Sequence, residues 1–124
     1  MLKKIFFALL LLSFSACSVK KPVYSNSVLV VFKTPTLKFY DKGFIIKYDD
    51  YIQLQVFEIG HIVLDLKVYN NEVCQGILKC ISTKEFNKKY LSSSYNDNFL
   101  YKLLDKKKIY FKDKVNHILI KIKK

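Results

Sequence analysis

Three cysteines, two histidines and one pair of adjacent carboxylates are the residues of this 124-residue chain best suited to covalent, proton-transfer or metal chemistry. Cys17 follows Ser15 and Ala16 after an apolar run, where a thiol would become the first residue left by a signal cleavage. Cys74 and Cys80 flank Gly76, a spacing that lets two thiols meet across a tight hairpin. In an oxidising compartment they are expected to form a disulfide closing a short loop, worth about 2 kcal/mol by chain entropy; two buried free thiols are the competing reading. Neither His61 nor His117 lies at ligand spacing, so no metal site is expected. Asp49 and Asp50 read as a turn rather than an acid–base pair, because adjacent strand residues face opposite sides. The chain has no Gly-rich phosphate loop, no Gly-x-Ser-x-Gly elbow and no His-Glu-x-x-His pair. This inventory points away from an enzyme and implies neither catalytic residues nor a cofactor.

The amino terminus carries Lys3 and Lys4, an uncharged run from Ile5 to Phe14, and then the small residues before Cys17, the layout of a secretory signal. A run of about ten residues is too short to cross roughly 30 Å of hydrocarbon. Ser15-Ala16-Cys17 resembles the end of a bacterial lipobox, with Phe14 where that pattern usually has Leu. The resemblance implies that the Cys17 thiol takes a diacylglyceryl group, that residues 1–16 are removed as a signal peptide, and that the new amino terminus is acylated, with palmitate among the chains. An ordinary cleaved signal that happens to leave a cysteine is the alternative. Ser18 is not the Asp that commonly marks inner-membrane retention, which points to the outer membrane and its periplasmic face. Residues 17–27 read as a lipidated polar tether, and 28–124 as a single β-rich domain.

The formal charge is +12, from 22 lysines against ten acids, with no arginine. Bidentate phosphate or base forks are therefore unavailable, and lysines are scattered singly along the strands rather than gathered on one helix with interleaved stacking aromatics, so nucleic acid is not an expected partner. Apposition to an anionic leaflet suits the charge, each surface lysine adding about 1 kcal/mol. A plain solvated surface suits it equally.

From Ser27 to Ile81 the apolar residues recur in steps of two. Val28, Val30 and Phe32 share a face, as do Leu37 with Phe39, then Ile52, Leu54 and Val56, then Ile62, Leu64, Leu66 and Val68; Lys38, Gln53, Gln55, Asp65 and Lys67 lie opposite. Breaks are expected at Thr34-Pro35, Asp41-Lys42-Gly43, Asp49-Asp50, Gly60 and Asn70-Asn71. A helix over 83–91 follows a hydroxyl cap near Ser82-Thr83, and a second over 98–105, capped by Asp97, carries Phe99, Leu100, Leu103 and Leu104 as an apolar stripe. A hairpin of 108–112 and 116–123 closes the chain, with Ile118, Ile120 and Ile122 inward and Lys121 and Lys123 outward. The pattern predicts an α+β domain: a curved antiparallel sheet with two short helices.

Phe57-Glu58-Ile59-Gly60, the alternating strand Ile62–Tyr69, the two helices up to Asp105 and the closing Ile118–Ile122 strand resemble the LolB family of outer-membrane lipoproteins. The chain is also similar to small lipoproteins of epsilonproteobacteria. Similarity extends over about 36–123 in order and pattern, but Asp105 runs at once into Lys106-Lys107-Lys108, so a half-barrel of the LolA/LolB kind would be truncated. The resemblance implies a protein that accepts acylated lipoproteins or lipid from a periplasmic carrier for membrane insertion. It places a membrane-inserting residue at Ile59 and acyl contacts at Leu54, Val56, Leu64, Leu66, Phe99 and Leu103, for each of which ordinary core packing competes. The alternative is a structural lipoprotein, built as an all-β immunoglobulin-like sandwich, that docks an envelope protein assembly through exposed strand edges guarded by lysines such as Lys121 and Lys123.

Overall fold

The structure, a computed structural model, describes residues 20–77 and 79–124. Eight strands form one sheet: β1 (Tyr24–Lys33), β2 (Lys38–Lys47), β3 (Ile52–Glu58), β4 (His61–Val68), β5 (Glu72–Gln75), β6 (Lys79–Ser82), β7 (Ile109–Asp113) and β8 (Ile118–Lys123). Helices α1 (Thr83–Tyr90) and α2 (Phe99–Leu104) lie between β6 and β7. The strand order is β6-β5-β4-β3-β2-β1-β8-β7, antiparallel at every step. The first six strands are thus a meander, and the final hairpin returns to pair β8 with β1. All eight strands share one sheet, so the sandwich expectation is overturned: a sandwich would leave residues 83–105 on the outside, whereas here their helices pack into the core and cover one face of the sheet.

Alternation explains which face is dry. Val28, Val30 and Phe32 of β1, Ile52, Leu54 and Val56 of β3, and Ile118, Ile120 and Ile122 of β8 are all buried in one cluster with Phe86 of α1 and Leu100, Leu103 and Leu104 of α2. Burying such side chains contributes about 25 cal/mol per Å² of apolar area. Among the described residues the core cluster runs from Val28 to Ile122, and a protein starting at Lys20 contains every one of its members. Helix α1 packs on β5 and β6 and α2 on β7, so the helical layer reaches towards both edges of the sheet.

Three local expectations are corrected. Asp41-Lys42-Gly43 is no turn: β2 runs unbroken through it, because Gly43 lets the backbones of β2 and β3 approach closely. A Cβ there would lie 1.9 Å from the Gln55 carbonyl oxygen, so the glycine serves contact rather than chain reversal. Ile62 does not share the face of Leu64: the register shifts at Val56/Phe57, pairing Ile62 with Phe57 and leaving Val63 as the extra residue of a bulge. Helix α2 starts at Phe99 with Asn98 in the cap position and without a side-chain capping bond, so Asp97 is not the cap. Helix α1 is capped as expected, the Ser82 hydroxyl accepting from the Glu85 N–H at 3.2 Å.

Strand β1 begins inside the expected tether: Val23 N donates to Lys47 O at 2.7 Å, and Tyr24 pairs with Lys47. Lysines 121 and 123 lie on β8, which is flanked on both sides, whereas the edges of the sheet are β6 and β7. They cannot guard an edge.

Candidate functional site

The hairpin joining β3 and β4 turns on two residues, Ile59 and Gly60, with φ of 48° and 77°. Two consecutive positive φ values are the signature of a type I′ turn, which matches the right-handed strand twist and favours Asn-Gly or Asp-Gly. A β-branched residue in this region is a genuine outlier, because its Cβ crowds the backbone. Ile59 is also 93% exposed, so it carries both a conformational cost and a hydration cost. Folding alone rewards neither. The Val63 bulge leaves Ile62 and Val63 exposed just below the tip. Phe57, opposite Ile62, meets Phe44 edge to face at 5.5 Å, giving the apolar tip a firm base.

The residues expected to contact acyl chains lie beneath the helices. Leu54, Val56, Leu64, Leu66 and Leu103 are buried in the common core, where they pack against protein. Leu54, Val56, Leu64 and Leu66 stand side by side on β3 and β4, through the pairs Leu54–Leu66 and Val56–Leu64. Phe99 is not with them: its ring lies tilted against Tyr95 at 4.5 Å and meets Phe111 edge to face at 4.7 Å, on the β7 side of the sheet. An apolar ligand would reach the Leu54–Leu66 row only by lifting the helical layer.

Three polar links hold that layer down. Asn87 of α1, itself buried, donates from Nδ2 to the Asn96 carbonyl at 2.9 Å, bracing the loop before α2. The Tyr95 hydroxyl donates to Asp113 Oδ2 at 2.5 Å. Asp113 also accepts from the backbone N–H groups of Val115 and Asn116 and from Asn116 Nδ2, so one carboxylate organises both the β7–β8 turn and the loop. These donors, the Tyr95 hydroxyl first, hold its carboxyl down at about 2. Burial, then the Asp113 bond, pushes the Tyr95 phenol up. At the far end of α2, Lys47 pairs with Asp105, and its ammonium is raised chiefly by that hydrogen bond.

Cys74 and Cys80 are directly opposite on β5 and β6 and are joined, with S–S 2.05 Å, on the face the helices leave free. Ligand atoms of Glu72, Cys74 and Cys80 lie within 4.8 Å of one another, but bonded sulfurs are no thiolate ligands. His61 is exposed beside the Ile59 tip, and His117, with φ 57°, is exposed in the β7–β8 turn. Cys17 lies outside the described residues. Among the described residues no helix is long and apolar enough to cross a membrane.

Several features escaped sequence reasoning. Tyr48 stacks on Tyr51 at 4.7 Å, and Tyr69 lies tilted against Tyr51 at 5.1 Å, at the end of the sheet opposite Ile59. Lys20 and Lys67 stand over the Tyr51 ring, and Lys20 also pairs with Asp50 at 3.4 Å, which ties the segment before β1 to this end. The tyrosines bracketing Asp49-Asp50 were the available signal. The Tyr95–Asp113 link had none, since its partners are 18 residues apart in unrelated elements. No protein-family model, curated protein or solved structure matches this chain.

Proposed function

We propose that this protein is a lipid-anchored outer-membrane lipoprotein that accepts acylated ligands and presents them to the bilayer through the β3–β4 tip, in the manner the LolB resemblance implies. The observation that carries the reading is Ile59: exposed, β-branched, at positive φ, and carried on a hairpin with an apolar flank. A residue that costs folding free energy in two ways is explained when a bilayer takes its side chain. The helical layer spanning towards β6 and β7 would act as the cover over the apolar face, and Leu54, Val56, Leu64, Leu66 and Leu103 would line the space it uncovers. Transfer needs no covalent step; burial of acyl methylenes, about 0.8 kcal/mol each, drives both loading and release into the membrane.

The test uses residues 20–124 with a triacylated peptide and phospholipid vesicles. Saturable binding of the peptide, followed by its appearance in the vesicles, is expected; Ile59→Asn should keep the first step and slow the second. No saturable binding removes the ligand-carrying reading. The closed packing of Leu54 and Val56, both at 0% exposure, favours the second reading, a docking module for an envelope assembly, with β6 and β7 as its unpaired edges. Crosslinking in envelopes that retrieves one protein, rather than diverse lipoproteins, would select it.

A further inference from the structure

The four strands β2, β1, β8 and β7 carry lysines on the face that the helices leave uncovered. Register places Lys33 opposite Lys38, Leu29 between Lys42 and Lys123, and Lys121 between Val31 and Tyr110; Lys112 stands opposite Leu119. All six lysines are exposed. The two acids of these strands, Asp41 and Asp113, pair with Val30 and Ile118 and so belong to the other face. Neither ion pair among the described residues, Lys20–Asp50 or Lys47–Asp105, uses any of the six. Like charges directly opposite one another, as at Lys33 and Lys38, destabilise a sheet. Such a field is retained at a cost unless an anionic partner neutralises it.

We propose that this face docks on an anionic phospholipid bilayer, with headgroup phosphates over Lys33, Lys38, Lys42, Lys112, Lys121 and Lys123. Charge complementarity is the first argument: six exposed ammoniums, none in an ion pair among the described residues and with Asp41 and Asp113 only at their margins, match a broad sheet of phosphates. The second is the company they keep. Tyr40 and Tyr110, 67% and 51% exposed, rise among the lysines, and amphipathic aromatic rings settle at headgroup level. Point-charge ammoniums on a broad face suit a fluid layer of phosphates better than the fixed geometry of bases, for which arginine forks are used. Orientation is the third argument, and it alone rests on the proposed function. Lys20 packs at the end of the sheet opposite Ile59, only three residues beyond Cys17, a reach of about 10 Å. Strand β3 separates that end from the tip by roughly 23 Å. An anchor at one end and an inserted tip at the other lay the sheet along the membrane, with its uncovered face towards the lipid.

The test follows co-sedimentation of residues 20–124 with vesicles of phosphatidylcholine alone or mixed with phosphatidylglycerol. Binding is expected to the anionic vesicles only, and to disappear at about 1 M salt, where the screening length falls to roughly 3 Å. Replacing Lys33, Lys121 and Lys123 by Gln should weaken it about a hundredfold, taking roughly fivefold per lysine. The same change at Lys84, Lys88 and Lys106, exposed on the helical side, alters net charge equally and should leave most of the binding intact. Melting temperature verifies folding, and removing lysine repulsion should not lower it. The proposal is overturned by equal losses in the two triple variants, by no preference for anionic vesicles, or by tighter binding to a single-stranded oligonucleotide than to the vesicles. Ile59→Asn separates the two claims: lysine-dependent binding that survives it stands even if acyl transfer is never found.

Discussion

Replacing Ile59 by Asn should make the protein more stable and less able to enter a membrane, two effects of opposite value from one side chain. An L-residue held near φ 48° costs about 1–2 kcal/mol, and Asn relieves much of it because its short polar side chain tolerates this region. Asn-Gly is also the preferred pair for a type I′ turn. A gain of about 1 kcal/mol corresponds to a rise of roughly 4–8 °C in Tm for a domain of this size. The side chain is 93% exposed, so almost no packing is lost in exchange. Burying a side chain of this size in an apolar medium is worth about 2 kcal/mol, so vesicle partition should fall roughly thirtyfold. Thermal unfolding by circular dichroism and vesicle co-sedimentation read the two effects on one sample. Ile59→Leu serves as the control, keeping the apolar tip and therefore the partition. A fall in Tm would refute the account of turn strain. A raised Tm with unchanged partition would refute the membrane role of the tip.

Gly43→Ala should destabilise by about 2–3 kcal/mol, because the new Cβ meets the Gln55 carbonyl at 1.9 Å and β2 or β3 must move; a lowered urea midpoint with unchanged slope checks it. Reducing Cys74–Cys80 should cost about 2 kcal/mol, the entropy of a loop with sequence separation 6, seen as a lower denaturation midpoint that the double Cys→Ala variant reproduces without reductant. Asp113 has a folded pKa of about 2 against 3.8 for the free carboxyl, so its contribution is full above 3.8 and lost as the pH falls through about 2. Asp113→Asn should flatten the acid limb of the stability profile in that window; an unchanged limb between pH 4 and 2 would refute the assignment.

The sheet was legible wherever alternation was strict. Val28-Val30-Phe32 and Ile118-Ile120-Ile122 turn inward as the period of two requires, and the Phe86 and Leu100–Leu104 positions pack at helical spacing. Alternation failed at Ile62, because a bulge inserts one residue and flips every side chain beyond it, and nothing in Gly60-His61-Ile62-Val63 announces that insertion. It failed at Gly43 for a related reason: a glycine needed for close backbone approach and one needed for a turn look alike in a string of letters.

Local chemistry alone placed Cys74 and Cys80 within reach across Gly76, the α1 cap at Ser82 and the apolar residue beside Gly60, since each depends on residues a few positions apart, while the structure decided between the bond and two free thiols. Only the tertiary structure decided that the helices cover one face of a single sheet, that the hydrophobic positions beneath them are closed core, and that six lysines from four strands share the other face. Those are properties of register between segments as far apart as β1 and β8. Register is set by which faces bury together when the whole chain packs, a choice that no window of neighbouring residues contains.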